Sequence, residues 1–281
     1  MSIELSLEAE GFSAGFHEDD QLRSRFMRRL ILHDGSAAQT QSTGWCTIPK
    51  VLVRFWHDAE TLPADVRGCL QSWEVLEKDG FEIALYNDVS ATAFISQTYG
   101  LEHAAAFAQC GHPAMRSDYF RLCYVLALGG FYVDADDVVT EGLWPLLYGD
   151  DRLKLQPLCY DVPSGTMVEG AELWDNDAPE AGRIYYVNNN PLVAPPGHPV
   201  LRRALERATA ALLNSSSRRD IQSITGPGNL TAVLAAHAHE LALAGHIHDF
   251  ALLRCWDRIA RTKWDLSYRA DERNWRNVDW G

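Results

Sequence analysis

The sequence has no surplus of positive charge: across 281 residues, 25 Lys and Arg stand against 38 Asp and Glu, giving a formal net charge of −13 at pH 7. Sequence-independent binding to DNA or RNA draws its affinity from Lys and Arg, so nucleic-acid binding is a poor reading. A polybasic membrane anchor is disfavoured on the same ground. An anionic substrate would need positive charge supplied locally, by a few Arg side chains or by a bound cation. Long apolar runs are also missing. The longest uncharged one, Leu122 to Val133, is bounded by Arg121 and Asp134 and contains Gly129-Gly130. It is too short to span a bilayer, so no transmembrane segment is expected. The opening Met1-Ser2-Ile3-Glu4-Leu5 carries no hydrophobic stretch of the kind a secretory leader needs. Six cysteines are present without a CxxC spacing, and they read as reduced, mostly buried thiols. The resulting expectation is a cytoplasmic protein, or one peripheral to a membrane. Internal repeats and low-complexity tracts are absent as well.

What is present is an ordinary globular composition, 47% hydrophobic and 22% charged, with nine Trp, ten Tyr and ten Phe. Aromatics in such number build a core or line a pocket. Residues 1–44 read as an N-terminal extension: one helix, Gln21 to Leu32, then the small polar linker Gly35 to Gly44. Residues 45–281 read as one domain. The apolar, β-branched run Val51 to Phe55 predicts a buried strand. Leu62 to Lys78 follows as a helix, with Pro63 near its start and Gly80 after its end. Phe81 to Tyr86 is a second strand, helices follow at 90–98 and 101–109, and Ala114 to Leu128 is a strong helix. Phe131 to Val133 is a third strand. Beyond residue 140 the pattern predicts strands at Leu153–Cys159, Arg183–Val187 and His246–Leu253, and helices at Val200–Leu213 and Asn229–Ala242. From Arg261 onward the chain is polar and Trp-rich. Alternation of strands and helices implies an α/β domain around a mixed, mostly parallel sheet.

The most informative stretch is His112 to Val139. Its helix is apolar almost all round, which marks it as buried. Within it Asp118 and Arg121 are three residues apart and share a face. A buried charged pair must be satisfied. It is either an internal ion pair that orients the helix or a pair that faces a pocket and binds polar ligand groups. The next strand runs directly into Asp134, Asp136 and Asp137. In an open α/β sheet the ligand crevice lies beyond the carboxyl ends of the strands. Carboxylates crowded there repel one another, and a divalent cation relieves the repulsion. Hard oxygen donors suit Mg²⁺ or Mn²⁺. Such a cation neutralises the diphosphate of a leaving nucleotide. Asp137 reads as a solvated neighbour of the other two.

Ser117-Asp118-Tyr119-Phe120-Arg121 followed by Gly129-Gly130-Phe131-Tyr132-Val133-Asp134-Ala135-Asp136 resembles the signature of the DxD-containing sugar transferases. That group includes fungal outer-chain mannosyltransferases, bacterial capsular polysaccharide glycosyltransferases and, remotely, the glucosylating toxins. Ile48-Pro49-Lys50 through Trp56 is similar to the family's opening strand, with Val53 where a His is usual. Looser matches lie at Asn189 to Pro199 and at Thr225-Gly226-Pro227. The resemblance implies a GT-A type fold, a Rossmann-like nucleotide-sugar domain. It implies that Asp136 ligates the metal and that Asp134 contacts the donor and the metal. Asp118 and Arg121 would hold sugar hydroxyls or phosphate. Phe55 or Trp56 would lie against the base, with Tyr132 and Asn189 in the donor pocket. A C-terminal polar residue followed by Trp would close over the diphosphate. The candidates are Asn274-Trp275, with Asn274 where Ser is usual, and Asp271 as a further metal ligand. The activity implied is retaining transfer from a UDP- or GDP-sugar to a glycan, lipid-linked or protein acceptor, with Mn²⁺ or Mg²⁺ as cofactor.

Two other readings remain open at this level. A strand-terminal DxD also serves phosphohydrolases, although no convincing downstream Lys accompanies it here. A nucleotide-sugar-binding relic without turnover is the other. The cluster His237, His239, His246 and His248 lacks a third ligand at a recognisable spacing and does not read as a zinc site. Gly226-Pro227-Gly228 before a helix reads as a phosphate cradle or as a plain turn.

Overall fold

The computed structural model describes residues 11–36, 46–214 and 220–278. Most of the expected linker 35–44 lies outside the described residues, as does Trp280. Helix α1 (Asp20–Ser36) begins where the Asp19 carboxylate accepts the N–H groups of Gln21 and Leu22, each at 2.9 Å. One face of α1 buries Phe26, Met27, Leu30 and Ile31 completely, in the same core as the helices that follow.

Strand β1 (Val51–Phe55) leads into α2 (Ala64–Ser72). The single helix expected over 62–78 is in fact two pieces, α2 and a 3-10 segment, Trp73–Asp79. The Ser72 hydroxyl donates to the Cys69 carbonyl at 2.7 Å and so competes with the regular helix ladder there. Trp73, fully buried, is held by donation from its indole N–H to the Asp137 carbonyl at 3.0 Å. Next come β2 (Glu82–Tyr86), α3 (Asp88–Tyr99) and α4 (Leu101–Gln109). A reciprocal capping box between Asn87 and Ser90 starts α3. Helix α5 (Pro113–Leu128) starts at a His112 cap with proline in its first turn. It is followed by β3 (Gly130–Tyr132) and β4 (Asp137–Val139).

The strand expected over 153–159 splits into β5 (Leu153–Leu155) and β6 (Pro157–Asp161), which belong to different sheets. Pro157 has no N–H to continue a ladder, and the chain changes sheet there. Then follow β7 (Thr166–Met167), the short helix α6 (Gly170–Leu173), β8 (Arg183–Val187) and β9 (Leu192–Ala194). Helices α7 (Pro199–Asn214), α8 (Ile221–Ile224) and α9 (Pro227–Leu243) complete one layer. The chain closes with β10 (Phe250–Leu252), α10 (Trp256–Ile259) and β11 (Ala260–Thr262).

The main sheet has the order β10-β5-β9-β3-β1-β2. Strand β9 runs antiparallel to β5 and β3, and all other neighbours are parallel. The α/β class and mixed, mostly parallel sheet expected from the sequence are therefore observed. Both faces are covered, as a parallel sheet requires. Val53, Tyr132 and Leu192 point into the core that contains α5, α7 and α9, whereas Leu52, Phe131 and Val193 point to Trp73 and Trp256 on the other side. Because β1 and β3 are parallel, Trp56 and Asp134 emerge at the same edge. Two small sheets flank that edge. Strands β4 and β11 pair antiparallel, with Asp137 opposite Thr262, and β7-β6-β8 form the other. The histidine cluster is dispersed: His237 bonds the Asp249 carboxylate at 2.8 Å, and the His248 ring stacks on Phe250 at 4.6 Å.

Candidate active site

Arg121 is the hub of the site. It projects from a buried turn of α5 and is itself buried. Its Nη2 donates to Asp134 Oδ1 at 2.8 Å and to Ser117 Oγ at 3.1 Å, and it lies 3.0 Å from Asp118 Oδ1. Its Nη1 donates to the Asn189 carbonyl at 2.9 Å and to the Asn189 side-chain oxygen at 3.2 Å. The guanidinium also lies over the Tyr132 ring, 4.4 Å from its centroid. Burial opposes the charge, but Asp134, Tyr132 and Asp118 hold the Arg121 pKa above its ordinary value. The planar fork of arginine is what allows one side chain to reach all these partners.

Asp118 is buried one turn earlier on the same face. Burial pushes its pKa up to about 7, and Arg121 pulls the other way. It accepts from Asn189 Nδ2 at 2.9 Å and from the Thr225 hydroxyl at 3.4 Å. Of the two readings of the Asp118/Arg121 pair, both have structural content: the charges are internally satisfied, and both side chains also line the cavity described below.

Asp134 follows β3, and its carboxylate is about one-third exposed. Its backbone N–H donates to Asn190 Oδ1 at 3.1 Å. Asp136 is more enclosed. It accepts from the Tyr268 hydroxyl at 2.7 Å and pairs with the Arg269 guanidinium. Burial, then the charge of Asp134, raises the Asp136 pKa. Asp137 is not the solvated neighbour expected from the sequence. It is fully buried, accepts from Asn190 Nδ2 and from the Thr262 hydroxyl at 2.7 Å each, and has its pKa pushed up to about 7 by burial and by Asp136. The cause is β4: pairing with β11 turns the third aspartate inward.

These residues border one cleft of about 780 Å³. Phe55, Trp56, Asp118, Arg121, Asp134, Asp136, Asn189, Asn274 and Trp275 all line it, so most of the residues singled out in the sequence converge. Three do not reach it, the buried Asp137 among them. Tyr132 is fully buried behind Arg121, with its hydroxyl 2.6 Å from Ser117 Oγ and 3.2 Å from Asp134 Oδ1. Asp271 is not part of the lining and is paired with Arg273 at 2.7 Å. Asn274 lines the cleft, but its side chain caps the 3-10 turn Trp275–Asn277 and donates to the Arg269 carbonyl at 3.0 Å.

Four residues that sequence reasoning passed over shape the site. Tyr268 and Arg269 cover Asp136, and Asn190 bridges the backbone of Asp134 and the carboxylate of Asp137. Their approach is a product of long-range folding, with no local signal. The fourth, Arg54, had a signal: it is a lone cation inside the apolar strand Val51–Phe55. Its side chain is fully buried, lies 5.3 Å from the Trp73 ring centroid, and makes no hydrogen bond among the described residues. Burial lowers its pKa to about 9, opposed by the charge of Asp137. It is a fixed positive charge behind the acidic strand end.

For a divalent cation the donor set is partial. Among the described residues, no three His, Cys, Asp or Glu side chains converge as a full protein cage. Two hard carboxylates at a strand end fit an ion that takes one or two protein ligands and completes its shell with water and substrate phosphate, as Mg²⁺ does. Asp134 and Asp136 are of that type; the Asp136 pKa is raised by burial first and by the neighbouring charge of Asp134 second.

Comparison with known proteins agrees with this geometry over part of the chain. Residues 63–153 match the family described as "Glycosyltransferase sugar-binding region containing DXD motif". That span holds α2 through β4, and with it Asp118, Arg121 and the three strand-end aspartates. Among solved structures, the chain is similar to "PaToxG Glycosyltransferase", with 14% identity over 82% of this chain and 83% of that one and a TM-score of 0.48. No curated protein matches the chain. The resemblance read from the motifs to the DXD sugar transferases is borne out over that matched region.

Proposed function

We propose that the protein transfers a sugar from a nucleotide-diphosphate donor, UDP- or GDP-linked, to a hydroxyl of a glycan, lipid-linked or protein acceptor, with Mn²⁺ or Mg²⁺ and with retention of configuration. The observation that carries this reading is the convergence on one cleft of Trp56, Asp134 and Asp136 from adjacent strand ends with Asp118, Arg121 and Asn189. In it, Asp136 and Asp134 are the metal ligands, and the cation, once bound, neutralises charge on the departing diphosphate. Arg121 orients Asp134 through its 2.8 Å contact, while Asp118 and Asn189 present polar atoms to the donor sugar. Phe55 and Trp56 form an aromatic wall for the base. Tyr132 acts through Arg121 and Asp134 as a positioning residue. Trp275 and Asn274 belong to a C-terminal segment that borders the donor, and Asp271 serves that segment by pairing with Arg273. For the cation to reach Asp136, the Arg269 contact must be shared or given up. We also retain the division into a docked N-terminal extension, 1–44, and a catalytic domain, 45–281, and a cytoplasmic or membrane-peripheral location. Among the described residues no helix is long and apolar enough to cross a membrane.

Two features favour transfer over phosphohydrolysis. Among the described residues no lysine lines the cleft, and its lining includes five Trp and two Tyr. The test is Asp136→Asn with UDP- and GDP-sugars across a manganese titration. Donor turnover should fall by about 10²- to 10³-fold, the size typical of removing one preorganised electrostatic group, while the far-UV circular dichroism stays unchanged. Full turnover by the variant at saturating manganese would refute the assignment.

A further inference from the structure

The small sheet β7-β6-β8 breaks the ordinary rule for a half-covered antiparallel sheet, apolar inward and polar outward. Its inner face is buried as expected, with Cys159, Tyr185 and Val187 in the core. Its outer face is apolar too. The register sets Leu158 opposite Tyr186, and Tyr160 opposite both Ile184 and Met167, so these five side chains share one side. Tyr160, Met167 and Ile184 are exposed, and none of the five carries a charge at neutral pH.

This face is continuous with the active-site cleft. Leu158, Tyr186 and Met167 line the same cleft as Asp134 and Asp136, and Tyr160 and Ile184 extend the strip outward from it. Where strip and cleft meet, the character changes to that of a sugar subsite. Trp174 offers a ring with Arg254 stacked on it, 4.2 Å from guanidinium carbon to centroid. Beside it, Asn188 Nδ2 donates to Gln156 Oε1 at 3.4 Å, and Gln156 Nε2 donates to Asp257 Oδ1 at 3.3 Å. All five of these polar or aromatic residues line the cleft. A ring with polar side chains beside it suits a pyranose, whose C–H face stacks and whose hydroxyls bond. An uncharged apolar strip beyond it suits whatever is attached to that sugar.

Resting on the glycosyltransferase reading, we propose that the outer face of β7-β6-β8 seats the apolar aglycone of the acceptor, and that the acceptor is an amphiphilic glycoside. Its sugar lies at Trp174 and Gln156, next to the donor, and its alkyl or aryl portion lies along Leu158, Tyr186, Met167, Tyr160 and Ile184. An apolar surface kept open at the mouth of a catalytic cleft has a function in binding.

Octyl and methyl glucoside separate the aglycone contribution from the sugar contribution, because the sugar is common to both. Calorimetric titration of each onto the full chain, below the micelle concentration, needs neither donor nor metal. Octyl glucoside should bind at least tenfold more tightly, and Ile184→Asp and Tyr160→Asp should each reduce that ratio at least fivefold. Both side chains are exposed, so the substitutions leave the core untouched. Equal affinity for the two glucosides overturns the proposal, as does a ratio that survives both substitutions. A self-associating chain that Ile184→Asp converts to monomer with the ratio unchanged also overturns it, by assigning the face to a second copy. Loss of donor hydrolysis in the unmodified chain would count against the donor reading alone, since the titration does not depend on it.

Discussion

Arg121 reaches Asp118, Asp134, Ser117 and Asn189 from a buried position, and its removal leaves the buried Asp118 carboxyl and the partly exposed Asp134 carboxylate without their cation. Breaking a buried ion pair on one side costs about 3–5 kcal/mol. Arg121→Met should therefore lower the unfolding free energy by about that amount in urea denaturation. A loss below about 1 kcal/mol, the scale of an exposed pair, would mean that the network is wetter than its geometry indicates. Asp118 makes a separate prediction. Its pKa in the folded chain, about 7, lies above its ordinary value of 3.8. Between those limits the unfolded chain ionises while the folded one holds its proton, so unfolding releases a proton and stability declines as pH rises from about 4 to about 7. Asp118→Asn should flatten that decline, measured as unfolding free energy against pH. An unchanged slope would place the titration elsewhere.

At the level of elements, the site depends on how tightly α5 turns into β3. Gly129 ends α5 with φ 70° and ψ −170°, a region open essentially to glycine alone. A Cβ at this position would lie 2.8 Å from Pro196 Cδ and 3.0 Å from the Ala194 carbonyl. Gly129→Ala should cost at least the roughly 1–3 kcal/mol of such a conformation. It should also weaken donor binding, because the same turn sets the depth at which Asp134 leaves the sheet. A variant with wild-type melting temperature and affinity would show that the turn relaxes freely. Much of this junction was legible in the sequence. Pro113, the apolar helix, Gly129-Gly130 and the strand-end aspartates are local signals with local causes. The inward turn of Asp137 was not legible, because it follows from pairing of β4 with β11, more than 120 residues away in the chain. The break between β5 and β6 was marked by Pro157, a signal that a reading of apolar pattern alone runs past.

For the molecule as a whole, ligand linkage gives the simplest check. A donor bound at one hundred times its dissociation constant adds about 2.7 kcal/mol to folding stability, enough to raise the melting temperature of a chain this size by about 5 °C. On the proposed function, in which Asp134 and Asp136 would hold a cation against the diphosphate, the shift from a UDP- or GDP-sugar should require Mn²⁺ or Mg²⁺. An equal shift in the presence of chelator would remove the metal from the donor site.

The sequence by itself determined the α/β class, the strand that ends in aspartates and the helix that supplies Asp118 and Arg121. Each of these rests on short-range periodicity and on residue chemistry within about 30 positions. It also determined that positive charge would have to be concentrated, since a chain of net charge −13 has little to spread. Only the tertiary structure decided where that charge stands. It set Arg121 among Asp118 and Asp134, Arg269 on Asp136, and Arg54 behind Asp137. It also decided that Tyr132 and Asp271 lie outside the cleft and that the apolar face of β6 and β8 opens into it. These outcomes follow from which strands pair and which helices pack across long stretches of chain. Side-chain direction reverses with every residue of register, so no local pattern fixes them.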